Sequence, residues 1–162
     1  MTDSDQTLSK RALAAILATV IAVPAEGIRR VYYYDPPGIL TVCAGHTGPD
    51  IDKTKVYSLE ECKAFLTKDM NHAVSTVDSC RPGLPVNVLA AFSDAAFNIG
   101  PAIACDSTKS TAARKLAAGD LIGACRELPK WDKARLAGVL VALPGLTKRR
   151  QVEMNLCLTG LT

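Results

Sequence analysis

Glu26-Gly-Ile-Arg-Arg-Val-Tyr-Tyr-Tyr-Asp35-Pro-Pro-Gly-Ile-Leu-Thr41-Val-Cys-Ala-Gly45-His46-Thr-Gly48 is the stretch on which the fold turns. Arg30–Tyr34 and Ile39–Cys43 are rich in β-branched and aromatic residues. They are separated by Pro36-Pro37-Gly38 and followed by Gly45 and Gly48-Pro49. Strand-forming runs punctuated by turn residues predict a small β-hairpin lobe over residues 26–57. The lobe ends at Ser58, where Glu61 three residues on completes a capping box and opens a helix expected to reach Cys80, before Arg81-Pro82-Gly83.

Upstream, Lys10-Arg11 precede Ala12–Ala25, fourteen residues without a charge. As a helix they span only about 21 Å, short of the roughly 30 Å of hydrocarbon in a bilayer. A basic start, an apolar run and small residues at Val23-Pro24-Ala25 also suit a cleavable signal peptide. Cleavage there would strip Glu26 of the helix that holds it, so the expectation is an uncleaved segment that serves as a poor anchor and a fair helix. A plain core helix is the other reading. Leu13, Ile16, Leu17, Val20 and Ile21 recur at helical spacing and predict one buried stripe, with Ala and Thr opposite. Residues 1–25 are therefore set apart as an N-terminal apolar segment and 26–162 as the folded domain.

Downstream the pattern is helical. Helices are expected over about 85–98, 110–118, 121–128 and 148–158, broken at Gly100-Pro101, Gly119-Asp120, Pro129 and Pro144-Gly145. The fold class is α+β: a small β-hairpin lobe and a larger helical lobe joined by a long helix. The chain has 162 residues, 48 % hydrophobic, enough for a core, and only 5 % aromatic. Its net charge of +3 carries no run of five like charges, so nucleic acid is not an expected partner, while a weak pull toward a polyanion is allowed. Six cysteines without a CxxC pair argue against a zinc ribbon and fit disulfides in an oxidising compartment. They allow fifteen pairings, among which sequence does not choose.

The opening stretch resembles the active-site segment of the phage lysozyme family (glycoside hydrolase family 24). The match is Glu26, eight residues, Asp35, five residues, Thr41, with Gly27, Arg29, Tyr33, Gly38, Gly45 and His46 in the flanks. Glu61-Cys62-Lys63, Lys68-Asp69, Phe97-Asn98-Ile99-Gly100, Ser110-Thr111 with Arg114, Trp131, Pro144-Gly145-Leu146, Arg149-Arg150, Glu153 and Cys157-Leu158 extend it over about 26–162. The nearest pattern is that of endolysins with a signal-anchor-release segment.

The resemblance implies a lysozyme-like fold and a muramidase that hydrolyses the β-1,4 link between N-acetylmuramic acid and N-acetylglucosamine, lysing the host cell. Such a bond breaks through an oxocarbenium-like state that needs a proton on the leaving oxygen and an anion near the anomeric carbon. Glu26, at the end of an apolar helix, is expected as general acid, and Asp35, in a wetter turn, as the ionised partner that orients water. Thr41 would hold that water from the other side, and the family implies inversion. Asn98, Ser110 and Arg114 are expected along the glycan groove, with a capping or scaffold role as the alternative. His46 is read as structural, paired with Asp69. Cys43–Cys62, Cys80–Cys105 and Cys125–Cys157 are the disulfides expected.

No metal or cofactor is implied. The expected partner is peptidoglycan, with transient inner-membrane association through the N-terminal segment. The expected state is a monomer in the host periplasm, initially tethered. A lytic transglycosylase would use a similar acid but no water, which Asp35 and Thr41 argue against. A non-catalytic wall-binding module has no use for the intact Glu-Asp-Thr set. A membrane-perturbing peptide has no use for the domain and its cysteines.

Overall fold

The computed structural model describes residues 3–35 and 38–161; the side chains of residues 3–8 and 24–26 are outside the described set, as are Pro36 and Pro37. The chain opens with helix α1 (Asp3–Glu26), followed by β1 (Arg29–Tyr34), β2 (Leu40–Cys43) and β3 (His46–Thr47). These strands form an antiparallel sheet in the order β1-β2-β3. Gly45 takes φ +84 in the tight β2–β3 turn, a conformation that glycine adopts without strain.

Helix α2 (Leu59–Cys80) joins the lobes. Its capping box is present in both directions: Glu61 N donates to Ser58 Oγ at 3.1 Å and Ser58 N to Glu61 Oε2 at 2.9 Å. The helical lobe follows with α3 (Val86–Ile99), α4 (Ala102–Cys105), α5 (Thr111–Ala117), α6 (Leu121–Cys125), a 3-10 turn (Leu128–Trp131) and α7 (Pro144–Leu158). Helix α3 is the centre of the core: every residue from Val88 to Ala96 is buried, wrapped by α1, α2 and α7. The sheet lobe has its own small core of Val42, Cys43, Ile51, Tyr57 and Cys62.

The disulfides pair as expected. Cys43–Cys62 ties the sheet to α2, Cys80–Cys105 ties the end of α2 to α4, and Cys125–Cys157 ties α6 to α7.

Three local expectations are corrected. The buried face of α1 is not the stripe of large residues: Ala14, Ala18 and Ala22 are fully buried and Ile21 nearly so, while Leu13, Ile16 and Val20 are exposed. Alanine lets two helix axes approach closely, so the small face meets α2 and α3. Arg11 Nε, donating to Asp78 Oδ2 at 2.6 Å, pins the same side to α2. The second correction is an unanticipated hairpin, β4 (Lys133–Leu136) and β5 (Val139–Ala142), between the 3-10 turn and α7. Its turn, Ala137-Gly138, has positive φ at both residues (48° and 82°), and alanine gives no sequence signal for that geometry. Third, α7 starts at Pro144 rather than 148, because proline is accommodated in a first helical turn.

Candidate active site

Helix α1 ends at Glu26, and Gly27 turns the chain with φ +65 directly into β1. The backbone therefore delivers position 26 to the edge of the sheet; the Glu26 side chain itself is among those not described. At the far end of β1, Asp35 closes the β1–β2 turn. Its Oδ1 accepts from Ile39 N at 2.7 Å, and its own N–H donates to Ile39 O at 3.0 Å. The carboxylate is thus oriented by the backbone of the turn.

Strand register sorts the faces. Tyr33 lies opposite Thr41, and Thr41 opposite Thr47. Side chains opposite one another share a face, so Tyr33, Thr41 and Thr47 belong to one face, and Asp35 follows β1 at the head of the turn. Thr41 is only 3 % exposed, and its hydroxyl donates to Ile39 O at 2.9 Å, which fixes its rotamer and leaves its oxygen able to accept. Arg29 stacks over the Tyr33 ring at 4.7 Å.

The groove lies where the lobes meet. It has a volume of about 280 Å³ and is lined by Gly45 and Thr47 of the sheet lobe, Asp69, His72 and Thr76 of α2, and Phe97 of α3. Hydroxyl, imidazole and carboxylate groups on one wall and an aromatic ring on the other suit a ligand with both polar edges and apolar faces, such as a sugar ring. Thr47, His72, Thr76 and Phe97 went unassigned in the sequence. Phe97 had a signal in Phe-Asn-x-Gly; the others are placed only by the meeting of β3 and α2.

Beneath the groove, His46 is locked. Nδ1 shares a 2.6 Å hydrogen bond with Asp69 Oδ2, Nε2 a 3.0 Å one with Asp50 Oδ1, and the ring stacks on Phe65 at 3.9 Å. The Asp50 carboxyl is held below its ordinary range, first by the hydrogen bond with His46 and then by Lys68. This joins the sheet lobe to α2 on the groove side.

Asn98 is half-buried beside Phe97 in the last turn of α3. Ser110 is fully buried: its Oγ donates to Ile103 O at 2.7 Å and accepts from Ala113 N at 3.1 Å as the N-cap of α5. That is the capping role. Arg114 is exposed and spends its guanidinium on Ser107 O and Thr111 Oγ1. None of Asn98, Ser110 and Arg114 is among the groove-lining residues, nor are Asp35 and Thr41.

A buried charge cluster supports the α3 wall. Arg149 of α7 grips Asp94 with two hydrogen bonds of 2.9 and 2.8 Å and lies 5.9 Å from the Phe97 ring centre. Arg150 bonds Glu153, and both are fully buried. Burial first, then the neighbouring Asp94, pushes the Glu153 carboxyl up from its ordinary value. Among the described residues, no group of three His, Cys, Asp or Glu side chains is placed to hold a metal.

Comparison with known proteins agrees with this architecture. The family model for phage lysozyme matches residues 24–153. A SAR-endolysin of bacteriophage PS119 is 37 % identical over 152 residues, covering 90 % of this chain and 87 % of its own length. Among solved structures, the active form of the P1 phage endolysin Lyz superposes with a TM-score of 0.75 at 25 % identity, over 90 % of this chain and 85 % of that one. The secreted inactive form of that endolysin, also 25 % identical, gives 0.53 over 71 % and 78 %. With the sheet, the connecting helix and the helical lobe in the same arrangement, this chain belongs to the phage lysozyme family.

Proposed function

We propose that the chain is an endolysin that hydrolyses the β-1,4 bond between N-acetylmuramic acid and N-acetylglucosamine in peptidoglycan. The observation that carries this reading is the pairing of Thr41 with Thr47, which opens into the inter-lobe groove, with Asp35 fixed by Ile39 N at the head of the same hairpin. Glu26 is the general acid. Its backbone ends helix α1 at the edge of the sheet, and as the acid it carries a proton. It donates that proton to the glycosidic oxygen as the bond to the anomeric carbon breaks. Asp35 takes a proton from the attacking water, and the Thr41 oxygen orients that water on the face opposite the leaving group, giving inversion. Asn98, beside Phe97, faces glycan in this scheme; His46 and Asp69 hold the groove in shape.

The N-terminal segment adds a delivery step. Among the described residues no helix is long and apolar enough to cross a membrane. Helix α1 is nevertheless apolar on both faces, alanines inward and Leu13, Ile16 and Val20 outward. A segment with that composition rests transiently in the inner membrane and, once released, packs into the periplasmic enzyme as a monomer. The greater similarity to the active than to the inactive P1 form supports reading the packed α1 as the active arrangement.

The test is purified wild type against Glu26→Gln and Asp35→Asn on isolated peptidoglycan, with products read by mass spectrometry. Loss of an acid–base group should lower turnover about 10²–10⁴-fold. Reducing-end muropeptides support hydrolysis; 1,6-anhydro products would replace it with transglycosylation, and full activity of Glu26→Gln would remove the catalytic assignment.

A further inference from the structure

Among the described residues, the β4–β5 hairpin pairs with no other strand. Its register separates two faces. Lys133 opposite Ala142 and Arg135 opposite Leu140 make one; Ala134 opposite Val141 and Leu136 opposite Val139 make the other. The second face is wholly apolar, yet Leu136 is 37 %, Val139 63 % and Val141 39 % exposed. Leu140, on the cationic face, is 56 % exposed. A two-stranded ladder is at best marginally stable alone in water, and a run of exposed branched side chains on one is a recurrent mark of an interaction surface.

Charge narrows the partner. From Lys133 to Val152 there is no Asp or Glu, while Lys133, Arg135 and Lys148 are exposed cations. The flanking acids are engaged: Asp132 accepts from Thr147, and Glu127 pairs with Lys115 and Lys130. The hairpin therefore presents an apolar face bordered by positive charge.

We propose that the β4–β5 hairpin is a docking element for an anionic lipid surface, with Leu136, Val139 and Val141 entering the interface and Lys133 and Arg135 meeting headgroup phosphates. Amphipathic elements with a basic polar face bind membranes in this way. A glycan fits this face poorly, since its side chains offer neither a hydrogen-bonding group nor an aromatic ring. A second copy packed through the apolar face would leave Lys133 and Arg135, on the opposite face, without a counter-charge. On the proposed function, such a contact with lipid would keep the folded enzyme near the periplasmic face of the inner membrane after α1 has left the bilayer, independently of the catalytic residues.

The test uses the full, disulfide-bonded chain with vesicles of phosphatidylethanolamine and phosphatidylglycerol, and with neutral phosphatidylcholine vesicles. Trp131, the only tryptophan, lies two residues before β4 and reports local insertion by quenching with brominated lipid. The expected result is binding to anionic vesicles that weakens with salt and is accompanied by Trp131 quenching. The triple variant Leu136→Ser/Val139→Ser/Val141→Ser should lower the partition coefficient at least tenfold and abolish quenching. The α1 variant Ile16→Ser/Val20→Ser should keep the quenching. Turnover of soluble glycan by both variants, measured alongside, shows that the fold is intact. Unchanged binding and quenching in the hairpin variant would overturn the proposal, as would equal binding to neutral vesicles. So would a hairpin variant that loses only sacculus binding, or only a self-associated species in sedimentation.

Discussion

The packing of α1 makes opposed predictions for two neighbouring positions. Ala18 is fully buried among Ala22, Ala44, Leu66, Met70 and Ala73, whereas Val20, two residues on, is 66 % exposed. Full burial of a valine is worth about 1.5–3 kcal/mol; with only about a third of its surface covered, Val20→Ser should cost about 0.5–1 kcal/mol. Ala18→Leu adds three carbons where no space exists, and overpacking of that kind costs about 1–3 kcal/mol. It also levers α1 away from α2, and with it the backbone that carries Glu26. Urea unfolding followed by Trp131 fluorescence gives both stabilities, and turnover on peptidoglycan gives the functional consequence. Ala18→Leu should lose activity beyond what its unfolded fraction explains, while Val20→Ser stays close to wild type. A Val20→Ser cost above about 2 kcal/mol, as expected for a true core valine, together with a neutral Ala18→Leu, would show that the large stripe is the buried one and refute the packing.

Two further outcomes rest on buried groups. Glu153 is pushed above its ordinary value of 4.5, so the folded state holds its proton where the unfolded chain has lost it. That contribution to stability is fully present below about pH 4.5 and declines as pH rises toward the folded value, at most by about 1.4 kcal/mol per pH unit. Glu153→Gln, which keeps an oxygen for Arg150, should lack this decline, so wild type should lose stability relative to it between pH 5 and 8; parallel curves would contradict the assignment. Glu153→Leu leaves a buried Arg150 donor without that acceptor and should cost about 1–3 kcal/mol in the same denaturation assay. The Cys43–Cys62 bridge closes 19 residues, which corresponds to about 3 kcal/mol of chain entropy. Cys43→Ser/Cys62→Ser should lose most of that and expose the sheet lobe first in hydrogen exchange, because its core is a few residues around Val42 and Tyr57; a loss under about 1 kcal/mol would place the lobe's stability elsewhere.

What could be read from sequence is what neighbours along the chain decide. The Ser58–Glu61 capping box and the strands on either side of Pro36-Pro37-Gly38 depend on contacts a few residues apart. The spacing of Glu26, Asp35 and Thr41 is legible for the same reason: one helix end and one hairpin carry all three. Tertiary structure alone decided the rest. Whether the alanine or the leucine–valine side of α1 faces inward depends on how closely α2 and α3 approach, which no periodicity reports. Sequence leaves Ser110 two possible roles, and Ile103 O decides between them, seven residues away but adjacent only once α4 and α5 pack. Thr47, His72 and Phe97 line one groove because β3, α2 and α3 converge there from distant parts of the chain. Local patterns specify elements, and the close packing of elements against one another specifies which of their faces are left for substrate, lipid or solvent.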